Sequence, residues 1–486
     1  MTSVRRSLAI TFLDKYATLA ISVVSTMILA RLLTPEEIGV FSIASIFVLL
    51  ASILRDFGVA DYLIQVDRVT PESLGAAFAL MLSVSWGLAG LIWLGAPLAA
   101  QFYNEPGVAA VLHVLAINFL LIPFGAVFMT LLKRAMRFEI SLRIHLAQSL
   151  THAGVAIGLA WWGLGYMSLA WASLAGVVAT VAVSLWYRPR DIPLRPRLKG
   201  IRAVARFGGW ASLGTIAGQG ADSLPELAIG RSFGMAEVGY FSRANGLIQL
   251  FDHSVMHGAA PVVMPHFARL RRRQGDLAAH LLYMTRLVTA LAWPFYALLA
   301  LLAAPVIALL YGHQWDAAVP LAQVLCLYGA LKAATPYASM VLKAVNRPED
   351  DGWINLAHLL VLITLLWFTL PLGVEAVAWG VSAAMGVRGG LYLLRLAKAV
   401  GFAWGQYFRA VLPSLGLTLL AVLPAWGVVW GWPMEEDLMQ WLIMALAGLL
   451  GTGMWLLGLW RLEHPLYQEL SRAWSRLPLV ARHRGG

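Results

Sequence analysis

The sequence predicts an all-α polytopic membrane protein of about fourteen transmembrane helices, built from two homologous lobes. Three observations predict it. Hydrophobic residues make up 60% of the 486-residue chain and charged residues only 13%, against about 45–50% and about 25% in soluble domains. The apolar residues gather into runs long enough to cross a hydrocarbon core of about 30 Å, which takes about 20 residues of helix. And one stretch occurs twice. Ala30 to Asp61 reads ARLLTPEEIGVFSIASIFVLLASILRDFGVAD, and Ala228 to Ala260 reads AIGRSFGMAEVGYFSRANGLIQLFDHSVMHGAA. Arg31, Glu37, Gly39, Phe41, Ser42, Gly58 and Ala60 recur as Arg231, Glu237, Gly239, Phe241, Ser242, Gly258 and Ala260, at one constant offset without a gap. Shared Leu or Ala would be cheap between two hydrophobic hairpins; shared Arg, Glu, Gly and Ser are not. Each copy joins the end of one apolar helix, a short polar turn and the next apolar helix, the mark of paired membrane lobes with a site near their interface.

Taken in order, the runs place spans at 8–33, 39–62, 73–97, 107–131, 141–162, 165–187, 207–231, 238–262, 282–310, 317–343, 352–371, 374–396, 405–430 and 438–460. The first follows Arg5 and Arg6; it is too long for a signal-peptide core and is read as a retained transmembrane helix. The fifth and sixth spans are divided at Gly163-Leu164-Gly165, the eleventh and twelfth at Leu372-Gly373.

Loop charges then alternate. One set holds Arg5 and Arg6; Lys133, Arg134, Arg137 and Arg143; the run from Arg188 to Arg206; Arg269 to Arg273; Lys343 and Arg347; Arg395 and Lys398; and the Arg-rich tail. The other is short and acidic or neutral, with Glu36, Glu37, Glu105, Glu237, Asp316, Glu375 and Glu435 to Asp437. The positive-inside rule puts the first set in the cytoplasm, with both termini, and an even number of spans agrees. Net charge of +11 is thereby topological and implies no nucleic acid. The expected organisation is an N-lobe over 1–187, a basic cytoplasmic linker over 188–206, a C-lobe over 207–400, two further helices over 401–462 and a basic cytoplasmic tail over 463–486. The linker lies against anionic headgroups, or binds a phosphate. The tail places Leu466, Leu470 and Trp474 near one face, as an interfacial helix does.

No nucleotide-binding phosphate loop, H-E-x-x-H or G-x-S-x-G is present, and no extramembrane segment is long enough for a catalytic domain. No catalytic residue, metal site or cofactor is expected. The single cysteine, Cys326, allows no intrachain disulfide.

Ionisable residues inside spans are costly and mark cavities or partners. Asp14 and Lys15 on the first span and Arg55 and Asp56 on the second share the cytoplasmic third, where they either form an ion-paired cluster or set two cations at a cavity mouth. Asp222 and Glu226 are four apart on the seventh span beside Pro225, expected to interrupt the helix; two close carboxylates suit proton or Na+ coupling. The eighth span carries Arg243, Asp252, His253 and His257, the histidines at metal-like spacing with nothing to complete a tetrahedral set. Lys332 and Arg388 lie too deep to snorkel and are cavity candidates. His145, Gln148 and His152 form a stripe suited to helix–helix hydrogen bonding.

Carried by ARLLTPEEIGVFSIA, LRDFGVADYLIQ, the second copy IGRSFGMAEVGYFSRA and PVVMPHFARL after it, the chain resembles the multidrug/oligosaccharidyl-lipid/polysaccharide exporter superfamily. It is most similar to the Wzx-type flippases of its polysaccharide branch, of the colanic-acid and xanthan type. The resemblance implies two six-helix lobes, spans 1–6 and 7–12, with two additional helices. It implies a bacterial inner-membrane protein that moves undecaprenyl-diphosphate-linked oligosaccharide outward by alternating access, for exopolysaccharide or lipopolysaccharide O-antigen synthesis. Its partners would be that lipid, the bilayer and the polymerase and export machinery of the same pathway. A cationic cavity would here draw on Lys15, Arg55, Arg243, Lys332 and Arg388. Asp14, Asp56, Asp222, Glu226 and Asp252 would serve cation coupling, to H+ or Na+, or charge pairing. Competing readings are a cation-coupled multidrug exporter, a lipid-linked peptidoglycan-precursor flippase and a membrane-embedded glycosyltransferase or polymerase; short outer loops argue against the last.

Overall fold

A computed structural model describes residues 2–56, 59, 63, 66, 69–188, 195–197, 218–431 and 437–475; side chains at 2–9, 56, 257–262, 437–439 and 473–475 are outside the description. Every regular element described is helical. The chain runs α1 (Thr2–Leu32), α2 (Pro35–Asp56), α3 (Pro71–Tyr103), α4 (Pro106–Arg134), α5 (Phe138–Trp161) and α6 (Tyr166–Tyr187). It continues through α7 (218–233), α8 (Met235–Phe251), a π-turn (Asp252–Met256), α9 (His257–Arg272), α10 (Leu277–Leu301) and α11 (Ala303–Tyr311). Then come α12 (Ala318–Ala333), α13 (Ala338–Ala344), α14 (Pro348–Thr369), α15 (Val374–Leu396), α16 (Trp404–Gly431), α17 (Asp437–Arg461) and α18 (Pro465–Ser475).

Eleven stretches of the described residues are long and apolar enough to cross a membrane. The other three expected spans correspond to α5, α7 and the α8–π–α9 run. The first is diluted by Arg143, His145, Gln148 and His152, and the last is broken by the π-turn. Most of the linker 188–206, the start of the seventh span and Glu435 lie outside the described residues, as do Asp56's and His257's side chains.

Helix ends follow local chemistry. Before α2, Thr34 Oγ1 accepts from the Glu37 amide at 3.2 Å and the Glu37 carboxylate accepts from the Thr34 amide at 2.8 Å, a capping box with Pro35 at the first position. Thr70 and Ser73 build another at α3. Gly163 (φ +80°) and Gly373 (φ +106°) supply the left-handed turns at the two divisions the sequence marks. Pro225 does not split α7: the helix runs through it from 218 to 233. Exposed tryptophans such as Trp161, Trp186 and Trp430 cluster at helix ends, as in an interfacial aromatic belt.

The chain divides into two compact units, Met1–Ser242 with Leu310–Gln314, and Arg243–Leu309 with Trp315–Gly486. In the first, α3 packs on α4, α5 on α6, α4 on α6 and α1 on α5. In the second, α14 packs on α15 and α10 on α12. There α16 and α17 attach to α10 through a buried Thr289–Ser414 hydroxyl bond of 2.9 Å and a Trp455 Nε1 bond to the Ala290 carbonyl at 2.9 Å. The α17–α18 corner holds His464, fully buried, its two ring nitrogens facing Arg286 Nε at 3.2 Å and the Leu466 N–H at 3.2 Å. Burial and the Arg286 charge push its pKa down to about 4. Leu466 enters the small core of Ala290, Leu417 and Leu459, which seats α18 on the bundle.

Candidate functional site

The repeated stretch folds into a reciprocal contact within the first unit. Gly39 on α2 lies against the Met235 carbonyl that begins α8, and Gly239 on α8 lies against the Pro35 carbonyl that begins α2. Ser42 Oγ donates to Ser242 Oγ at 3.2 Å. Each partner is its counterpart's image in the repeat, so the contact has local two-fold character. A Cβ at either glycine would run into backbone, which cannot step aside as a side chain can. Gly230 adds a close approach to Ile43 and Tyr103, and Gln314 donates to the carbonyls of Ala30 and, at 3.3 Å, Leu33. Capping thus accounts for Glu37, and close packing for Gly39, Gly239, Ser42 and Ser242.

The intramembrane charges fall into separate places. Asp14 Oδ2 and His145 Nδ1 of α5 are hydrogen-bonded at 2.7 Å, so one member of the polar stripe makes the helix–helix hydrogen bond expected of it. Gln148 and His152 pack over Gly176 of α6. Lys15 Nζ is enclosed without a hydrogen-bond partner among the described residues. Arg55 lies over the Phe119 ring at 5.6 Å, a cation–π contact on α4. Asp222 is exposed and Glu226 half-buried on α7.

In the second unit two predicted residues meet. Lys332 Nζ donates to Asp252 Oδ2 at 2.5 Å. Both sit where their spans are interrupted. Asp252 opens the π-turn between α8 and α9, and Lys332 is in the last turn of α12, just before the break that separates α12 from α13. Tyr337, in that break with φ +57°, donates its hydroxyl to the Met256 carbonyl at 3.0 Å, joining one interruption to the other. Non-helical backbone at membrane depth is tolerated where it lines a cavity or is buried in protein, and discontinuous helices build transporter sites. The position of Lys332 at a helix C-terminus also suits a cation.

The remaining predicted cations are built into packing. Arg243 lies over the buried Trp315 ring at 5.7 Å. Arg388 donates to Asn355 Oδ1 at 2.9 Å and lies over Tyr392 at 5.7 Å, which ties α15 to α14. Sequence reasoning missed the network beneath it. Asp350 and Asp351, buried in the first turn of α14, take Arg395 at 3.2 Å and Arg347 at 3.7 Å, and Lys343 at 3.2 Å with the Tyr392 hydroxyl at 2.7 Å. Their signal was the P-E-D-D run at 348–351, acidic residues in a helix's first turn, where the dipole favours them. Among the described residues no three metal-ligating side chains come together.

A profile of the family described as "Polysaccharide biosynthesis protein" matches residues 28–320. The lipopolysaccharide biosynthesis protein WzxC of Escherichia coli (strain K12) is 22% identical over 408 residues, 82% of this chain and 79% of its own length. The succinoglycan biosynthesis transport protein ExoT of Rhizobium meliloti (strain 1021) is 26% identical over 427 residues, 84% and 81% of the two chains. The lipid II flippase MurJ in an inward closed conformation superposes with a TM-score of 0.70 at 14% identity, over 92% of this chain and 97% of that one. An inward-facing MATE-family multidrug transporter of the MOP superfamily gives 0.58 at 17% identity, over 79% and 95%. At such identities the superpositions show a common fold, that of a multi-pass helical membrane protein.

Proposed function

This chain belongs to the polysaccharide biosynthesis protein family, and from that premise we propose that it is a flippase for undecaprenyl-diphosphate-linked oligosaccharide in a bacterial inner membrane. Family membership is the observation that carries the reading, and relatives named for lipopolysaccharide and succinoglycan biosynthesis support it. The physical task is to carry a polar glycan and a diphosphate past hydrocarbon while the lipid tail stays in the bilayer. Intramembrane cations offset the desolvation of the diphosphate. Both termini face the cytoplasm, the side of the basic loops. The protein makes and breaks no covalent bond of its cargo and uses no organic cofactor; H+ or Na+ is the coupling ion. Its working partners are the lipid-linked substrate and the polymerase and export machinery that take the product.

The test follows lipid-linked oligosaccharide by leaflet in a strain lacking the gene and fed labelled sugar. Accumulation on the cytoplasmic side, with surface polysaccharide lost and restored by this chain, is expected. A second reading, a cation-coupled drug exporter, is favoured by the carboxylates Asp222 and Glu226 sharing one face of α7. It predicts unchanged polysaccharide and raised sensitivity to cationic amphiphiles.

A further inference from the structure

The Lys332–Asp252 pair joins two interrupted spans, and its two members are unequally accessible. The Lys332 side chain is 42% exposed and Asp252's 13%. Asp252 is backed by protein: Tyr337 in the α12–α13 break bonds the Met256 carbonyl at the end of the same π-turn at 3.0 Å, and Tyr296 on α10 bonds the Ile248 carbonyl one turn before it at 3.4 Å. The ammonium therefore meets a visitor first, while the carboxylate sits behind it as a built-in anion. An ammonium left alone at membrane depth is costly, and so is a diphosphate without a cation. A resident carboxylate meets the first cost whenever the site is empty.

We propose that Lys332 binds the diphosphate of the lipid-linked substrate, and that Asp252 is the resident counter-ion which the diphosphate displaces and which reclaims Lys332 on release. The inference rests on the flippase reading and assigns its headgroup site within the second unit. Asp252 then weakens binding and speeds departure. The π-turn gives its carboxylate a backbone that need not keep helical register as it swings away. The two groups exchange partners, and no bond to either is made or broken.

The experiment uses full-length protein in nanodiscs, titrated with undecaprenyl diphosphate and, as a control, uncharged undecaprenol. Asp252→Asn is expected to bind the diphosphate about fivefold tighter, the scale of losing a half-exposed ionic competitor, and to release it more slowly. Lys332→Gln is expected to bind more weakly, and the double variant to match Lys332→Gln. If Asp252→Asn does not fold, Asp252→Ser removes the same charge and keeps a hydroxyl beside Lys332. Wild-type binding to the diphosphate with no tightening in either Asp252 variant overturns the inference and leaves the flippase reading standing, because a pair that only locks helices changes melting temperature and not affinity. Wild-type protein that fails to distinguish diphosphate from undecaprenol overturns both.

Discussion

The two copies of the repeat match in their outer halves and part company in their inner halves. From Pro35 to Ser42 and from Met235 to Ser242 the copies meet each other, glycine to carbonyl and serine to serine. Beyond that, α2 continues as regular helix through residues 52–56, where the sequence is Ser-Ile-Leu-Arg-Asp. The corresponding Asp-His-Ser-Val-Met at 252–256 forms the π-turn. The first copy carries its own cation, Arg55, set over Phe119. The second carries a carboxylate and meets its cation on α12. A duplicated hairpin has thus kept one end for self-complementary packing, which constrains both copies equally, and has let the other end diverge in charge and backbone.

The largest effect that tests this symmetry is overpacking. Gly39→Val and Gly239→Val each drive a side chain into the other helix's backbone, and each should cost on the order of 3 kcal/mol or more in stability and abolish surface polysaccharide. Melting temperatures of the two purified variants should fall together. Tolerance at one glycine with loss at the other would break the reciprocity. Next comes a covalent probe. In a Cys326→Ala background, Ser42→Cys with Ser242→Cys should oxidise to a disulfide, as the hydroxyls are 3.2 Å apart. If the α2–α8 contact opens during transport, the oxidised protein stops exporting and recovers on reduction. Undiminished export by fully cross-linked protein would make the contact a static hinge.

Much of this was legible in the sequence, because membrane spans need length and hydropathy and because the repeat is ungapped. The capping box was legible in T-P-E-E, and the turns at Gly163 and Gly373 in the residues that tolerate positive φ. Partners were not. A single sequence shows that Asp14, Asp252, Lys332 and Arg388 lie within spans, but contact is a property of helix rotation and crossing. Asp14 therefore has His145 of α5 as a hydrogen-bond partner, and Arg388 has Asn355 of α14, neither of which a single sequence pairs. The π-turn was invisible because no residue is inserted to announce it: Gly58 and Gly258 return at the same offset. The buried acids Asp350 and Asp351 were hidden by their setting among basic residues already explained by topology.

Smaller effects separate the copies at their caps. Thr34→Ala removes the first copy's capping box and should cost about 1 kcal/mol. The second copy has no threonine there; its turn rests on Gly234 at φ +94°. Glu37 and Glu237 should then respond with opposite sign. Glu37 caps α2, so Glu37→Ala destabilises. Burial raises the Glu237 carboxyl above its ordinary value of 4.5. The unfolded chain loses that proton first, so the group costs stability as pH rises past 4.5, and Glu237→Gln should raise the neutral-pH melting temperature slightly. A fall for both variants would mean that Glu237 also holds a cap.

The smallest effect lies outside the repeat, at a corner with no counterpart in either copy. His464 is held neutral with its pKa at about 4, against 6.5 for an ordinary histidine. Above 6.5 neither folded nor unfolded protein binds the proton, and the corner contributes fully. Between 6.5 and about 4 the unfolded chain takes up a proton that the folded corner refuses, because a doubly protonated ring would set N–H against N–H toward both Arg286 and Leu466. Stability should therefore decline as pH falls through that window and flatten below it. The seating of α18 on Ala290, Leu417 and Leu459 should loosen first, seen as faster amide exchange at Leu466 than at Ser42. His464→Gln should remove the decline without touching the α2–α8 contact. A decline that persists unchanged in His464→Gln would rule out this corner as the source of the acid sensitivity.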